Sequence, residues 1–180
     1  MPKPGGTLKA REFLFYTEDQ MLAQLPSTLP RPNRRVMWTI LQLYYGDPAV
    51  HFELQPQVAR GQVELGLHFE ADADTNELRA GLLAEHTVPV LGTLGPGWEL
   101  EAWTVSWRRL HRVFPFERLT ADLGREVAGE FARLLETLHP MIDGLEAIRP
   151  AAEPAAPAPA AGRSHRRRFR RGQRPGAQKA

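Results

Sequence analysis

The clearest pattern in the chain is a two-residue alternation. Val63, Leu65, Leu67 and Phe69 alternate with Glu64, Gly66, His68 and Glu70, the period of a strand with one buried face. Phe52 and Leu54 alternate with His51 and Glu53 in the same way, and the intervening QPQVARG carries Pro56 and Gly61, so this region is predicted to be a hairpin turning at that segment. RRVMWTILQLYYG (34–46) is apolar on every side. Asn33 and Gly46 would suit the two ends of a helix, but the β-branched and aromatic residues between them favour a strand, and a strand is expected. WELEAWTVSWRRLHRVF (98–114) reads as one long strand or two with a bend, with Trp103, Val105 and Trp107 on one face and Trp98, Leu100, Ala102 and Thr104 on the other.

Helical patterns lie between and around these strands. After the apolar REFLFY (11–16), Thr17 and Gln20 have capping-box spacing and predict a short helix through Leu25, which PSTLPRPN (26–33) then breaks. Asp74 and Glu77 repeat that spacing before Leu78, Leu82 and Leu83, an apolar helix face followed by the LGTLGPG break. Thr120 opens a long helix striped by Leu123, Val127, Phe131, Leu134 and Leu138. Pro140 is expected to end it, with Met141, Ile142, Leu145 and Ile148 as an amphipathic extension.

The order of elements predicts an α+β fold, an antiparallel sheet with helices packed on one face. Its boundaries are a flexible lead-in at 1–7, a single domain at 8–149, a Pro/Ala linker at 150–162 and a disordered Arg-rich tail at 163–180.

Charge divides the chain sharply. The tail holds seven arginines and one lysine against no acid, or +8, which leaves 15 basic and 21 acidic groups in residues 1–162, or −6. The absence of cysteine removes disulfides, thiolate zinc sites and cysteine nucleophiles. Lysine occurs only at Lys3, Lys9 and Lys179, and serine only at Ser27, Ser106 and Ser164, so a P-loop and a G-x-S-x-G elbow are excluded, and no lysine between Lys9 and Lys179 can serve as a Schiff base in the body. No apolar run reaches membrane-spanning length and the N-terminus has no secretory pattern. A soluble cytoplasmic protein is therefore expected, with no membrane partner and no cofactor.

Three groups of residues carry candidate chemistry. Arg163, Arg166, Arg167, Arg168, Arg170, Arg171 and Arg174, with Phe169 among them, suit phosphate neutralisation plus base stacking, so nucleic acid is the expected partner. The sequence HFE occurs twice, and alternation puts His51, Glu53, His68 and Glu70 on one face. Pairing His51 with Glu70 and Glu53 with His68 would make two histidine–carboxylate pairs able to bind a divalent ion or move protons, but the expected reading is a solvent-facing charge ladder. Trp103 and Trp107 with Arg108 and Arg109 could form a protein or ligand interface, although burial is the simpler expectation for the tryptophans. The leading expectation is a non-enzymatic macromolecule-binding protein with no assigned catalytic or metal residues. The alternatives are a metal-dependent or acid–base enzyme using the His/Glu face, and an oligomerisation or protein-interaction module.

HFE, VELGLHFE, the helix containing Asn76, GWELEAW, WRRL and the long helix ending HPMIDGL follow one another over residues 51–145. In that order they resemble a bacterial and archaeal domain family of unknown function, sometimes found beside restriction-endonuclease-like nuclease modules. The resemblance implies an accessory α+β domain in nucleic-acid transactions and supplies no catalytic residues. The neighbouring nuclease pattern itself needs a lysine in its core, and the body has none beyond Lys9 at its N-terminal edge.

Overall fold

The computed structural model of the chain describes residues 6–150. In chain order these form α1 (Ala10–Leu22), β1 (Asn33–Met37), β2 (Ile40–Tyr44), β3 (Val50–Gln57), β4 (Gln62–Phe69), α2 (Ala73–Glu85), α3 (Thr87–Leu94), β5 (Glu99–Ala102), β6 (Arg108–Pro115) and α4 (Ala121–Ala147). The strands make one antiparallel sheet in the order β1-β2-β3-β4-β6-β5, so the expected α+β architecture is present.

The alternation sorts the sheet into two faces. Leu41, Leu43, Val50, Phe52, Leu54, Val63, Leu65, Leu67, Phe69, Leu110 and Phe114 point one way, into a core shared with α1 and α4. From α4 the stripe Val127, Phe131, Leu134 and Leu138 is buried there, joined by Leu135, Ile142 and Leu145. Thr120 caps this helix, its hydroxyl accepting from the Leu123 N–H at 3.2 Å. The other face of the sheet is polar, and it holds the candidate site.

Several elements depart from the sequence pattern. α1 starts at Ala10, not at Thr17, and ends at Leu22. Its first turn is closed by Glu12, which accepts from the Lys9 N–H at 2.9 Å, and Leu14, Thr17, Glu18 and Met21 bury one i, i+3, i+4, i+7 stripe. Residues 34–46 are extended as expected, but as a hairpin. The chain turns at Trp38, whose φ of +54° is the left-handed conformation, while Met37 pairs with Ile40. In α2 the cap is Asp72, accepting from Thr75 N–H, and the helix buries Arg79 and leaves Leu78 exposed. Residues 87–94 are helical, so the first four residues of the expected LGTLGPG break, 91–94, belong to a helix. Pro89 lies in the first turn, where an N–H has no intrahelical partner to lose.

Residues 98–114 contain two strands that pair with each other. Pro140 does not end the last helix: α4 continues to Ala147. Pro140 and Glu136, whose carbonyl loses its bond, both face solvent, while Ile142 and Leu145 anchor the final turns in the core. At the N-terminus Thr7, the last residue of the expected lead-in, is bridged to Thr120.

Candidate metal centre

β3 and β4 are the two central strands of the sheet, each paired on both edges, and they carry the repeated HFE. Their register differs from the expected one by two residues. His51 lies opposite His68, Glu53 opposite Gly66, and Gln57 opposite Gln62. The cause is Pro56, which belongs to β3 instead of the turn. The chain reverses in a single 3-10 turn at Val58–Arg60, closed by Gly61 at φ +62°. Pro56 is tolerated because β2 pairs with β3 only as far as Leu54.

The expected solvent-facing ladder is not what this face presents. His51, Glu53 and His68 are 1%, 5% and 0% exposed. The hairpin of β5 and β6 supplies part of the cover: its loop, residues 103–107, lays Trp103 edge-on against His68 with ring centroids 5.4 Å apart. Trp107 lies 5.6 Å from Trp103, and the Arg109 guanidinium sits over the Trp103 ring at 5.0 Å. Arg109 is itself nearly buried. It donates to Glu64 and, from Nε and Nη2, to Glu101 Oε1 at 3.0 and 2.7 Å. Arg108 points elsewhere, to Glu77 at 2.9 Å. The four residues expected as one interface therefore divide: Trp103, Trp107 and Arg109 roof the polar face, and Arg108 ties β6 to α2.

Under that roof the two imidazoles are stacked, with centroids 5.5 Å apart and planes 24° apart. His51 Nδ1 lies 2.9 Å from the Pro48 carbonyl, which can only accept, so that nitrogen carries the proton and Nε2 is left with a lone pair. Nε2 faces Glu53 Oε2 at 3.4 Å, Glu70 Oε1 at 3.9 Å and the Gln42 amide at 2.9 Å. Gln42 also donates to Glu53 at 3.0 Å. His68 presents Nδ1 to Glu70 at 3.7 Å and Nε2 to Glu64 at 3.6 Å, and neither ring nitrogen has a hydrogen-bond partner among the described residues. Glu64 in turn accepts from Gln57 at 2.7 Å and from Arg109.

One ligand atom from each of His51, Glu53, His68 and Glu70 lies within 4.8 Å of the other three. At zinc–ligand bonds of about 2.0–2.2 Å, the edges of a tetrahedral centre measure about 3.3–3.6 Å. Three of the observed edges, 3.4, 3.7 and 3.9 Å, already lie close to that range. The outer partners are those that metal-binding histidines use: a backbone carbonyl behind His51 and a carboxylate, Glu64, behind His68.

Electrostatics point the same way. Burial works against charge on Glu64, but the His68 ring and the charges of Arg109, His68 and His111 outweigh it and take the carboxyl down to about 2. Burial also opposes the charge on Glu53, and the His68 charge and the Gln42 amide still hold it below the ordinary range. Burial would lower His68, yet Glu64, Glu70 and Glu53 raise it to about 9. Three carboxylates in one buried space demand positive charge. His111 goes the other way, lowered by burial and by Arg109. A second acidic group, Glu99, Glu101 and His111, lies at the β5 edge, but Glu101 is committed to Arg109.

Gln42, Glu64 and Arg109 are the supporting residues that the HFE repeat did not reveal. Glu64 was present in the alternation of β4, two places before Gly66, and Gln42 becomes visible only once β2 is paired with β3. The arginines from Arg163 to Arg174, and Phe169, lie outside the described residues. Comparison with family models, curated proteins and solved structures gave no match. The functional reading therefore stands on the geometry of this face.

Proposed function

We propose that the chain is a metal-dependent protein that holds one divalent transition ion of the zinc class through His51, Glu53, His68 and Glu70. The observation that carries the reading is His68: a fully buried imidazole, surrounded by carboxylates, whose two nitrogens lack hydrogen bonds among the described residues. Buried polar groups without partners are rare and costly, and an ion between the carboxylates and the ring satisfies Nδ1, with Nε2 left to face the Glu64 carboxylate. Two neutral imidazoles and two carboxylates form a donor set that suits zinc and its neighbours and balances the ion's charge. In the metal-free protein a proton on His68 supplies part of that charge. Glu70 is the least buried ligand, at 19% side-chain exposure, so the ion is reachable from one side and not sealed in the core.

The test is a titration of chelator-stripped, full-length protein with Co²⁺, followed by displacement with Zn²⁺. One equivalent is expected, with the visible spectrum of a low-coordinate site and quenching of tryptophan fluorescence, because Trp103 touches His68. Affinity should fall at least tenfold in Glu70→Gln and His51→Gln. Folded wild-type protein with no saturable binding would end the reading.

The charge division of the sequence favours a second activity, in which residues 163–180 tether the protein to nucleic acid. A body of −6 repels phosphate, so affinity would come from the tail and fall steeply with salt. Deletion of residues 163–180 should abolish RNA and DNA binding in a salt series, and unchanged binding would refute this activity.

A further inference from the structure

The metal reading leaves open what meets the ion on its accessible side. His51 and Glu70 both line a solvent-open pocket of about 360 Å³, whose other walls include Gln42, Arg35, Met37 and Ala49. A volume of this size suits a small organic molecule. Arg35 pairs with Gln42 across β1 and β2, so it stands on the polar face one strand away from Gln42 and two from His51. Its side chain is exposed and makes no ion pair among the described residues, unlike Arg34, which is bound to Glu18, and Arg109, which is bound to Glu64 and Glu101.

We infer that this pocket binds a small organic oxyanion, held between the metal ion and the Arg35 guanidinium. The inference rests on the metal reading above. A divalent ion balanced by Glu53 and Glu70 leaves the centre neutral, and Arg35 is then the one unmatched positive charge among the described residues of the pocket wall. The planar guanidinium fork matches the spacing of two oxygens on a phosphate or carboxylate. Zinc-class ions expand from four to five ligands, so an anionic oxygen can join without displacing a protein ligand. Met37 and Ala49 offer apolar surface to the organic part, which distinguishes such a ligand from a bare inorganic anion.

The experiment uses full-length protein carrying one equivalent of Co²⁺, with inorganic phosphate, phenylphosphonate and benzoate as probes. The visible spectrum reports coordination at the ion, and calorimetry reports affinity. Phenylphosphonate or benzoate should bind more tightly than inorganic phosphate and shift the spectrum; which of the two is tighter identifies the headgroup as phosphoryl or carboxylate. Arg35→Ala should weaken the tighter probe at least tenfold, and Arg35→Lys should weaken it less, with Co²⁺ affinity the same in both variants. Equal anion affinity in Arg35→Ala and wild type, or equal binding to metal-free protein, would overturn the inference and leave the metal reading standing. Failure of Co²⁺ itself to bind would remove both.

Discussion

His68 offers a test that needs no ligand at all. An unperturbed histidine titrates near 6.5, and in the metal-free fold the carboxylates of Glu64, Glu70 and Glu53 overcome burial and raise this one to about 9. At about 1.4 kcal/mol per pH unit, the difference is worth about 3 kcal/mol to the folded state. The folded value lies above the unfolded one, so this stability is complete below pH 6.5 and is lost as the pH rises through 9. His111, lowered by burial and Arg109, has the opposite sign and acts only below pH 6.5. Glu64, held down at about 2, contributes its full stability above pH 4.5. The interval from pH 6.5 to 9 therefore isolates His68.

Urea unfolding in the presence of chelator should show the midpoint falling across that interval at constant slope. The loss of about 3 kcal/mol corresponds to a drop in Tm of about 6–12 °C for a chain of this size. Saturating Zn²⁺ should flatten or reverse the trend, because the metal takes the deprotonated ring. His68→Gln should abolish the dependence. Metal-free stability that stays level or rises between pH 6.5 and 9 would refute the electrostatic account of this face.

Other perturbations probe the scaffold that positions the site. A Cβ at Gly66 would lie 2.6 Å from the Leu110 carbonyl oxygen and 2.9 Å from His111 Cβ, so Gly66→Ala must push β6 away from β4 and should cost about 1–3 kcal/mol in chemical denaturation. Trp38 is 89% exposed in a left-handed turn, and Trp38→Gly should raise stability by about 1 kcal/mol in the same assay. Arg79 is buried, donating to Asp47 at 2.7 Å and to the Leu145 carbonyl at 3.0 Å. Arg79→Ala should cost about 3–5 kcal/mol and loosen the C-terminal end of α4, seen as faster amide exchange there.

The alternation in β3 and β4 and the stripe in α4 were legible because each repeats one period long enough to fix a face. The same alternation is enough to put His51, Glu53, His68 and Glu70 on one side of the sheet. Register was not legible, because Pro56 reads as a turn residue and is tolerated in β3 only where β2 has stopped pairing. Burial of the polar face was not legible either. Periodicity says which residues share a face, but the cover over this one comes from Trp103, thirty-five residues beyond His68, and depends on the β5–β6 hairpin folding back. Arg79 in place of Leu78 on the buried side of α2 is a similar case: its partners are Asp47 and a main-chain carbonyl of α4, which no local pattern announces.

The most direct measurement is anomalous scattering from crystals of the full-length protein grown with Zn²⁺, recorded on both sides of the zinc edge. A single strong peak is expected about 2 Å from His51 Nε2, His68 Nδ1 and one carboxylate oxygen each of Glu53 and Glu70. A peak only at Glu99, Glu101 and His111, or no peak on the polar face at all, would contradict the metal reading.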